Sequence, residues 1–183
     1  MYPLLLHVCF SHRQRVLLVD DTPSNSRMLK MLLEKRGFVC DLAEDGAVAV
    51  EMVKDNVAER GTMQDKAEAS RHAYQLIFMD HQMPVMDGLE ATQTLRTAFN
   101  VSAIIVGCTG NTDERDQAAF VAAGADYVLP KPVRLADVDK LVEYCRYVVV
   151  LRVHYGPPLS CRLTLCALTG RWRSRRSPTR SSS

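Results

Sequence analysis

Polar side chains that could do chemistry follow four apolar runs of this sequence, each where the run ends. The runs lead into Asp20 and Asp21, into Asp80, into Thr109 and into Lys131. Carboxylates that crowd together repel one another unless a cation joins them, and oxygen-only ligands suit magnesium, which readily shares phosphate oxygens. The residue types therefore predict a Mg²⁺ site beside a nucleophile, provided that the fold brings the four run ends together.

Alternating strand and helix signals predict such a fold. Short runs of leucine and β-branched residues, typical of parallel strands buried on both faces, alternate with capped segments that carry apolar residues at helical spacing. We predict a doubly wound α/β fold of five strands and five helices, in which the carboxyl ends of the strands form the binding edge. The predicted strands are 15–19, 38–43, 74–80, 101–109 and 125–131, and the predicted helices are 22–37, 45–61, 89–99, 112–124 and 135–149.

Length and charge predict one domain with extensions. A chain of 183 residues suits a single well-cored domain, which we place at 14–147 after an N-terminal extension at 1–13. Residues 148–183 are predicted to hold the end of the last helix and a basic tail, and the chain from 146 onward carries eight arginines and no acid. This Arg/Ser-rich composition favours a solvated, disordered end over a nucleic-acid-binding segment.

The cysteines and the N-terminus indicate a reducing compartment. Six cysteines without a CxxC pair are too few for a disulfide scaffold in a chain of this length. The first residues lack the basic start and the cleavage site of a secretory signal, and no apolar stretch is long enough for a membrane span. We therefore expect a cytoplasmic protein.

Four separate motifs carry a resemblance to a known family. The stretches "LLVDD", "MDHQMPVMDG", "GCTGN" and "LPKPV", in this order and spacing, resemble the signatures of response-regulator receiver domains, the phosphoacceptors of two-component signalling. The resemblance covers about residues 14 to 147 and is greatest to receivers attached to hybrid sensor histidine kinases. It implies a flavodoxin-like sheet with strand order 2-1-3-4-5.

The resemblance also implies a role for each polar residue. Asp80 is expected to accept a phosphoryl group from a phosphohistidine of a histidine kinase or histidine phosphotransfer protein. Magnesium is expected to contact Asp80, Asp21 and the backbone carbonyl of Gln82, with Asp20 holding it through water. Thr109 and Lys131 are expected to bind phosphoryl oxygens, and the Lys131–Pro132 peptide is expected to be cis. These roles agree with the general needs of phosphoryl transfer, an in-line nucleophile and neutralised oxygens.

One departure from the family pattern concerns the switch. Receivers often carry an aromatic residue three positions before the lysine, where this sequence has Val128. Tyr127 is one position too early, and because side chains alternate along a strand we expect it to point to the opposite face. Asp87 is predicted to be a turn or cap residue, and His81 to be solvated or packed.

The sequence leaves two function classes open. The leading hypothesis is a phosphoacceptor with at most slow self-catalysed phosphorylation and dephosphorylation, and the alternative is a phosphate-independent interaction module of the same fold. An aspartate-nucleophile phosphatase would need an acid where Gln82 stands, and the nucleotide-binding motifs GxxxxGK[ST] and GxGxxG are absent. Whether the receiver stands alone or ends a larger hybrid kinase is left open, as is its downstream partner.

The tail's composition yields a first prediction. Removing residues 157–183 should leave the melting temperature nearly unchanged, because Pro, Gly, Ser and Arg interrupt the few apolar side chains of this segment. Calorimetry of the full and truncated chains checks this. A drop of several degrees, the size expected for about 1 kcal/mol, would show that the tail packs.

Overall fold

The computed structural model describes residues 14–65, 73–110 and 113–143. Strands and helices alternate along these residues. The strands are β1 (Arg15–Val19), β2 (Val39–Ala43), β3 (Tyr74–Asp80), β4 (Ile104–Thr109) and β5 (Tyr127–Pro130). The helices are α1 (Pro23–Glu34), α2 (Gly46–Thr62), α3 (Gly88–Thr97) and α4 (Glu114–Ala123), and α5 occupies 135–143 up to the last described residue.

The five strands form one parallel sheet in the order β2-β1-β3-β4-β5. This is the predicted doubly wound, flavodoxin-like arrangement, and the prediction is confirmed. The order places β1 and β3 side by side at the centre, and β4 and β5 follow on one side. The carboxyl ends of β1, β3, β4 and β5 therefore lie along a single edge of the sheet.

Each central strand is buried on both faces, as the continuous apolar runs predict. Side chains alternate between a core under α1 and α5 and a core under α2, α3 and α4. In β1, for example, Val16 and Leu18 belong to the first core, whereas Leu17 and Val19 belong to the second. Because a slip of one residue would exchange the two cores, the apolar pattern fixes the strand register.

The fourth strand starts three residues later than its predicted start at 101. The reason is Arg96 at the end of α3, whose guanidinium donates hydrogen bonds to the backbone carbonyls of Val101 and Ala103. Its other nitrogens bind the carbonyl of Gly124, 3.0 Å away, and the carboxylate of Asp126, 2.6 Å away. A side chain from another element thus holds the segment that the sequence assigned to the strand.

Some predictions lie outside the described residues. These are the extension at 1–13, the rest of the last predicted helix beyond 143 and the tail at 148–183. The polar segment 61–73, predicted to extend the second helix or to form a loop, continues α2 only to Thr62, and its residues 66–72 are likewise not described. No helix among the described residues combines the length and apolar character of a membrane span.

Arg96 joins two connections, the one from α3 to β4 and the one from α4 to β5, and its loss should destabilise the fold. We expect Arg96→Met to lower the free energy of unfolding by at least about 2 kcal/mol, because several partly buried acceptors lose their donor. Lys54→Met is the matched control, since Lys54 pairs with Glu51 on the surface, and should change the value by less than about 1 kcal/mol. Equilibrium urea unfolding measures both, and equal effects would contradict the assigned role of Arg96.

Candidate functional site

Asp80 is the last residue of β3 and its carboxylate is the buried centre of the site. The four residues before it, 76–79, are apolar and almost fully buried, so they fix the backbone that carries the carboxylate. Asp80 itself is 6% exposed. One carboxylate oxygen accepts a hydrogen bond from the backbone N–H of His81 at 2.7 Å. The other oxygen faces Lys131.

Lys131, directly after β5, links two of the predicted acids. Its ammonium lies 2.7 Å from Asp80 Oδ2 and 2.8 Å from Asp20 Oδ2. The backbone N–H of Lys131 donates to the carbonyl of Thr109, 2.7 Å away, which fixes the start of the loop after β5. The Lys131–Pro132 peptide is cis, as expected. The two ion pairs therefore connect the ends of β1, β3 and β5.

The pKa values of Asp80 and Lys131 report this crowding. Burial raises the pKa of Asp80 above its ordinary value, and the hydrogen bond and charge of Lys131 offset that only in part, while the charge of Asp20 adds to it. Burial lowers the pKa of Lys131, but its hydrogen bonds to Asp20 and Asp80 outweigh burial, so the net pKa is raised. The ammonium is therefore retained at neutral pH.

The three acids form a group that fits a divalent cation. One carboxylate oxygen from each of Asp20, Asp21 and Asp80 lies within 4.8 Å of the others. Lys131 forms ion pairs with Asp20 and Asp80, so within the described residues of this group one ammonium offsets three carboxylates and an excess of negative charge is left. Oxygen-only donors with unbalanced negative charge are the ligand set that Mg²⁺ prefers. The predicted convergence of these acids is therefore present.

Two residues that the sequence did not single out hold Asp20 in place. The backbone N–H of Thr22 donates to Asp20 Oδ1 at 2.9 Å, and the Asn25 side-chain amide lies 3.4 and 3.5 Å from the two oxygens. The Thr22 hydroxyl donates to Asp21 at 3.1 Å. Both residues belong to the start of α1, where they resemble ordinary capping residues in sequence, so only their positions reveal this contact.

The loop after Asp80 folds back onto the strand that carries it. Asp87 caps α3, as predicted, by accepting hydrogen bonds from the N–H groups of Leu89 and Glu90, both at 2.9 Å. Gly88 donates its N–H to the His81 carbonyl at 3.0 Å, and a Cβ on Gly88 would lie 1.9 Å from the Asp80 carbonyl oxygen. Glycine is therefore needed at this position because the two backbones approach too closely for a Cβ atom.

Asp45 anchors the same loop from the other side. This carboxylate caps α2 through the N–H of Ala47 at 2.9 Å, and it also accepts the N–H groups of Val85 at 3.0 Å and Met86 at 3.1 Å. Asp45 is 5% exposed. Burial raises its pKa, but the three backbone hydrogen bonds outweigh burial and hold the pKa below the ordinary value. The sequence could reveal the cap but not the contact with Val85 and Met86.

Thr109 and Gln82 line a cleft with the acids. Thr109 ends β4 and is 1% exposed. The cleft has a volume of about 470 Å³ and is open to solvent. Its walls bring together most of the predicted site residues and, besides Gly110, add two side chains that were not predicted to take part. The lining residues are Asp21, Asp80, His81, Gln82, Thr109, Gly110, Asp116 and Lys131.

His81 and Asp116 are the unpredicted members of this cleft. The His81 ring packs edge-on against Phe120, with centroids 5.3 Å apart and an interplanar angle of 61°. His81 Nδ1 lies 3.9 Å from Asp116 Oδ2. We predicted that His81 would be solvated or packed, and it is packed against Phe120. Its position directly after Asp80 was the only feature of the sequence that could have indicated a place in the cleft. Asp116 comes from α4 and carries no local signal.

Tyr127 and Val128 of β5 point to opposite faces of the sheet, as the alternation of side chains along a strand predicts. Val128 packs in the core under α2, α3 and α4, whereas Tyr127 packs in the core under α1 and α5. Both side chains are partly buried. The position three residues before Lys131 is thus filled by Val128 alone, and the tyrosine ring is on the far side of the sheet.

Cys108 lies beneath the site, one residue before Thr109. It is 4% exposed, and its neighbours in the sheet are Asp80 in β3 and Leu129 in β5. Burial raises the pKa of its thiol to about 12, with the charge of Lys131 opposing the shift. Cys40 is also free and buried. Both thiols are therefore protonated at neutral pH.

Comparison with known proteins gives a consistent result. The family profile described as Response regulator receiver domain matches residues 16–143. The chain is 35% identical over 125 residues to the autoinducer 2 sensor kinase/phosphatase LuxQ of Vibrio parahaemolyticus, covering 68% of this chain but only 13% of LuxQ. It is 33% identical over 130 residues to the two-component response regulator ARR22 of Arabidopsis thaliana, covering 70% of this chain and 81% of ARR22.

Solved structures share the fold. The receiver domain of Ssk1, crystallised with the Saccharomyces cerevisiae histidine phosphotransfer signaling protein Ypd1, matches with a TM-score of 0.62 and 26% identity, over 75% of this chain and 91% of that chain. The Vibrio cholerae chemotaxis protein CheY4 matches with a TM-score of 0.57 and 25% identity, over 73% of this chain and 98% of that chain. The alternation and strand order predicted from sequence are those of these proteins.

The buried Asp45 carboxylate yields a prediction with a pH dependence. At pH 7, Asp45→Asn should lower the free energy of unfolding by about 1 to 2 kcal/mol, because the charge that binds three backbone N–H groups is lost. The folded pKa lies below the unfolded value of about 3.9, so the carboxylate stabilises fully above that value and loses its advantage as pH falls through the folded pKa. The difference between parent and variant should therefore narrow below about pH 4.

Asp113→Asn is the matched control for Asp45. Asp113 caps α4 by accepting the N–H of Arg115 at 3.1 Å and is exposed, so its loss should cost less than the loss of Asp45. Urea unfolding across a pH series measures both variants. Equal costs, or a difference for Asp45→Asn that grows as pH falls, would contradict the anchoring role.

Proposed function

The chain belongs to the response regulator receiver domain family, and we propose that Asp80 is its phosphoacceptor in a two-component phosphorelay. The observation that carries this proposal is the buried Asp80 carboxylate, which faces the ammonium of Lys131 at 2.7 Å within a cluster of three acids. A nucleophile held at the floor of an open cleft, with a fixed cation beside it, suits attack on a phosphoryl group.

The transfer step follows from these positions. A carboxylate oxygen of Asp80 attacks the phosphorus of a phosphohistidine, the new P–O bond forms as the P–N bond breaks, and the electron pair leaves with the imidazole. Lys131 would pair with a phosphoryl oxygen, since its ammonium already lies beside the nucleophile. Thr109, which lines the same cleft, would donate its hydroxyl to another phosphoryl oxygen. Both contacts stabilise the charge on the transferred group.

The acid cluster would hold one Mg²⁺. We assign Asp21, Asp80 and the backbone carbonyl of Gln82 as its contacts, with Asp20 holding it through water. Bound there, the ion would neutralise charge on the phosphoryl oxygens. The excess negative charge of the cluster supports this assignment. Thr22 and Asn25 would serve it by orienting Asp20.

The partner proposed as donor is a histidine kinase or a histidine phosphotransfer protein. LuxQ is named as a sensor kinase/phosphatase, and the Ssk1 receiver was crystallised with a phosphotransfer protein. Because the chain spans 13% of LuxQ, kinase activity itself is not assigned to it. We place the receiver unit at 14–147, flanked by an extension at 1–13 and by the helix end and tail at 148–183, and propose a cytoplasmic location.

Return to the resting state would be a slow hydrolysis. Water attacks the phosphorus of the acyl phosphate, which releases inorganic phosphate and restores the Asp80 carboxylate. The cleft is open beside Gly110, which carries no side chain to shield the group, so water can enter. The chain would thus act as a signalling acceptor with slow self-catalysed turnover.

A second candidate, a phosphate-independent interaction module, is favoured by one observation. Val128 occupies the position at which an aromatic switch residue is common in the family, so the usual switch is incomplete. The two candidates differ in whether Asp80 becomes phosphorylated.

Phosphorylation of Asp80 is directly testable. Acetyl phosphate with Mg²⁺ should add one phosphoryl group to the parent chain, and Asp80→Asn should add none, because an amide is neither a nucleophile nor a good cation ligand. Intact mass spectrometry reads both. Chelation of the metal should abolish labelling of the parent.

Asp87→Asn is the matched control, because Asp87 lies in the same loop but caps α3. It should be labelled like the parent. Equal labelling of Asp80→Asn would contradict the assignment, and an unlabelled parent would favour the interaction module.

A further inference from the structure

The strand β5 offers no aromatic ring on the face where the switch residue of the family usually lies. Val128 occupies that place, with few rotamers and no hydroxyl. Tyr127 packs on the opposite face, in the core under α1 and α5. A change at Asp80 must therefore reach the outer helices through other side chains.

A different ring occupies the space beside Val128. Phe120 of α4 is fully buried in the same core as Val128. It lies directly over Gly107 of β4, where an added Cβ would be only 2.6 to 2.8 Å from three of its ring carbons. Gly107 is the sheet neighbour of Val128. The absence of a side chain at Gly107 thus makes room for the ring of Phe120.

The same ring contacts the residue that follows the phosphoacceptor. His81 packs edge-on against Phe120, and its Nδ1 lies 3.9 Å from Asp116, one turn before Phe120 on α4. The His81 backbone N–H donates both to Asp80 Oδ1 at 2.7 Å and to the carbonyl of Cys108 at 3.0 Å. One residue therefore touches the carboxylate through its backbone and α4 through its ring.

We propose that His81 and Phe120 together couple the state of Asp80 to helix α4, in place of an aromatic residue on β5. This coupling rests on the proposed function, in which Asp80 becomes an acyl phosphate. In this proposal, phosphorylation changes the position of α4. Gly107 takes part in the coupling because the ring of Phe120 packs directly on its backbone.

The chemistry of Asp80 supplies the trigger. The free carboxylate is a charged acceptor for the His81 N–H. In the acyl phosphate, one carboxyl oxygen is bonded to phosphorus and the other is a neutral carbonyl oxygen. Hydrogen bonds to charged acceptors are roughly twice as strong as those to neutral ones. Phosphorylation therefore weakens the hydrogen bond from the His81 N–H to Asp80 relative to its bond to the Cys108 carbonyl, and the His81 ring carries the resulting displacement to Phe120.

Close packing makes the displacement pass to the helix. The Phe120 ring has Gly107 beneath it at closest approach and the His81 ring at its edge. A tightly packed core responds to displacement by moving its neighbours as units. Phe120 and Asp116 lie on one face of α4, so both contacts move that helix.

The experiment compares the response of α4 with the extent of phosphorylation in the full chain. Isotope-labelled protein is treated with acetyl phosphate and Mg²⁺, nuclear magnetic resonance reads the shift changes of the α4 amides, and intact mass reads the phosphorylated fraction. In Phe120→Leu, the α4 response per phosphorylated molecule should fall at least about twofold. In His81→Ala, which leaves Phe120 in place, it should fall similarly.

Tyr127→Leu is the matched control, since it removes a ring from the opposite face of β5. Its α4 response per phosphorylated molecule should equal that of the parent. A full response in His81→Ala, or a loss of response in Tyr127→Leu, would overturn the coupling. Should Phe120→Leu fail to fold, the His81→Ala result decides alone. A parent chain that takes up no phosphoryl group would instead contradict the proposed function, and the mass measurement separates the two failures.

Discussion

The ammonium of Lys131, held between Asp20 and Asp80, is the interaction on which the rest of the site depends. It connects the ends of three strands that are far apart in the sequence, and it places a fixed positive charge beside a buried carboxylate. Burial and charge act against each other here, because burial raises the pKa of Asp80 and the lysine limits the rise. The carboxylate can remain an accessible nucleophile only while this balance holds.

The parallel sheet brings the lysine and the acids close together without placing polar side chains in the middle of its central strands. Strands buried on both faces need only apolar residues along their length, so the polar residues collect where the strands end. The loops beyond the ends are then fixed by contacts from elsewhere, as Asp45 fixes Val85 and Met86. Rigid strands and anchored loops together keep the acid cluster in place before any phosphoryl group arrives.

The alternation of strands and helices and the polar residues at the strand ends were predictable from local and periodic signals, whereas the strand order and the role of each site residue were implied by the resemblance to receiver domains. Apolar runs gave the strands, and strand parity placed Tyr127 and Val128 on opposite faces. The contacts that were missed join residues far apart in the chain, such as Asp45 with Met86 and His81 with Asp116. The late start of β4 also results from a contact with another element, because Arg96 of α3 donates hydrogen bonds to backbone carbonyls just before the strand. Periodicity cannot report such long-range contacts.

The burial of Cys108 has a consequence for oxidative chemistry. Thiol oxidation proceeds through the thiolate, and a thiol whose pKa is about 12 carries almost none of it at neutral pH. The side chain is also closed off from solvent beneath the sheet edge. The Cys108 sulfur atom, which adjoins both Asp80 and Thr109 in the fold, is therefore protected from peroxide and from disulfide exchange in the folded protein.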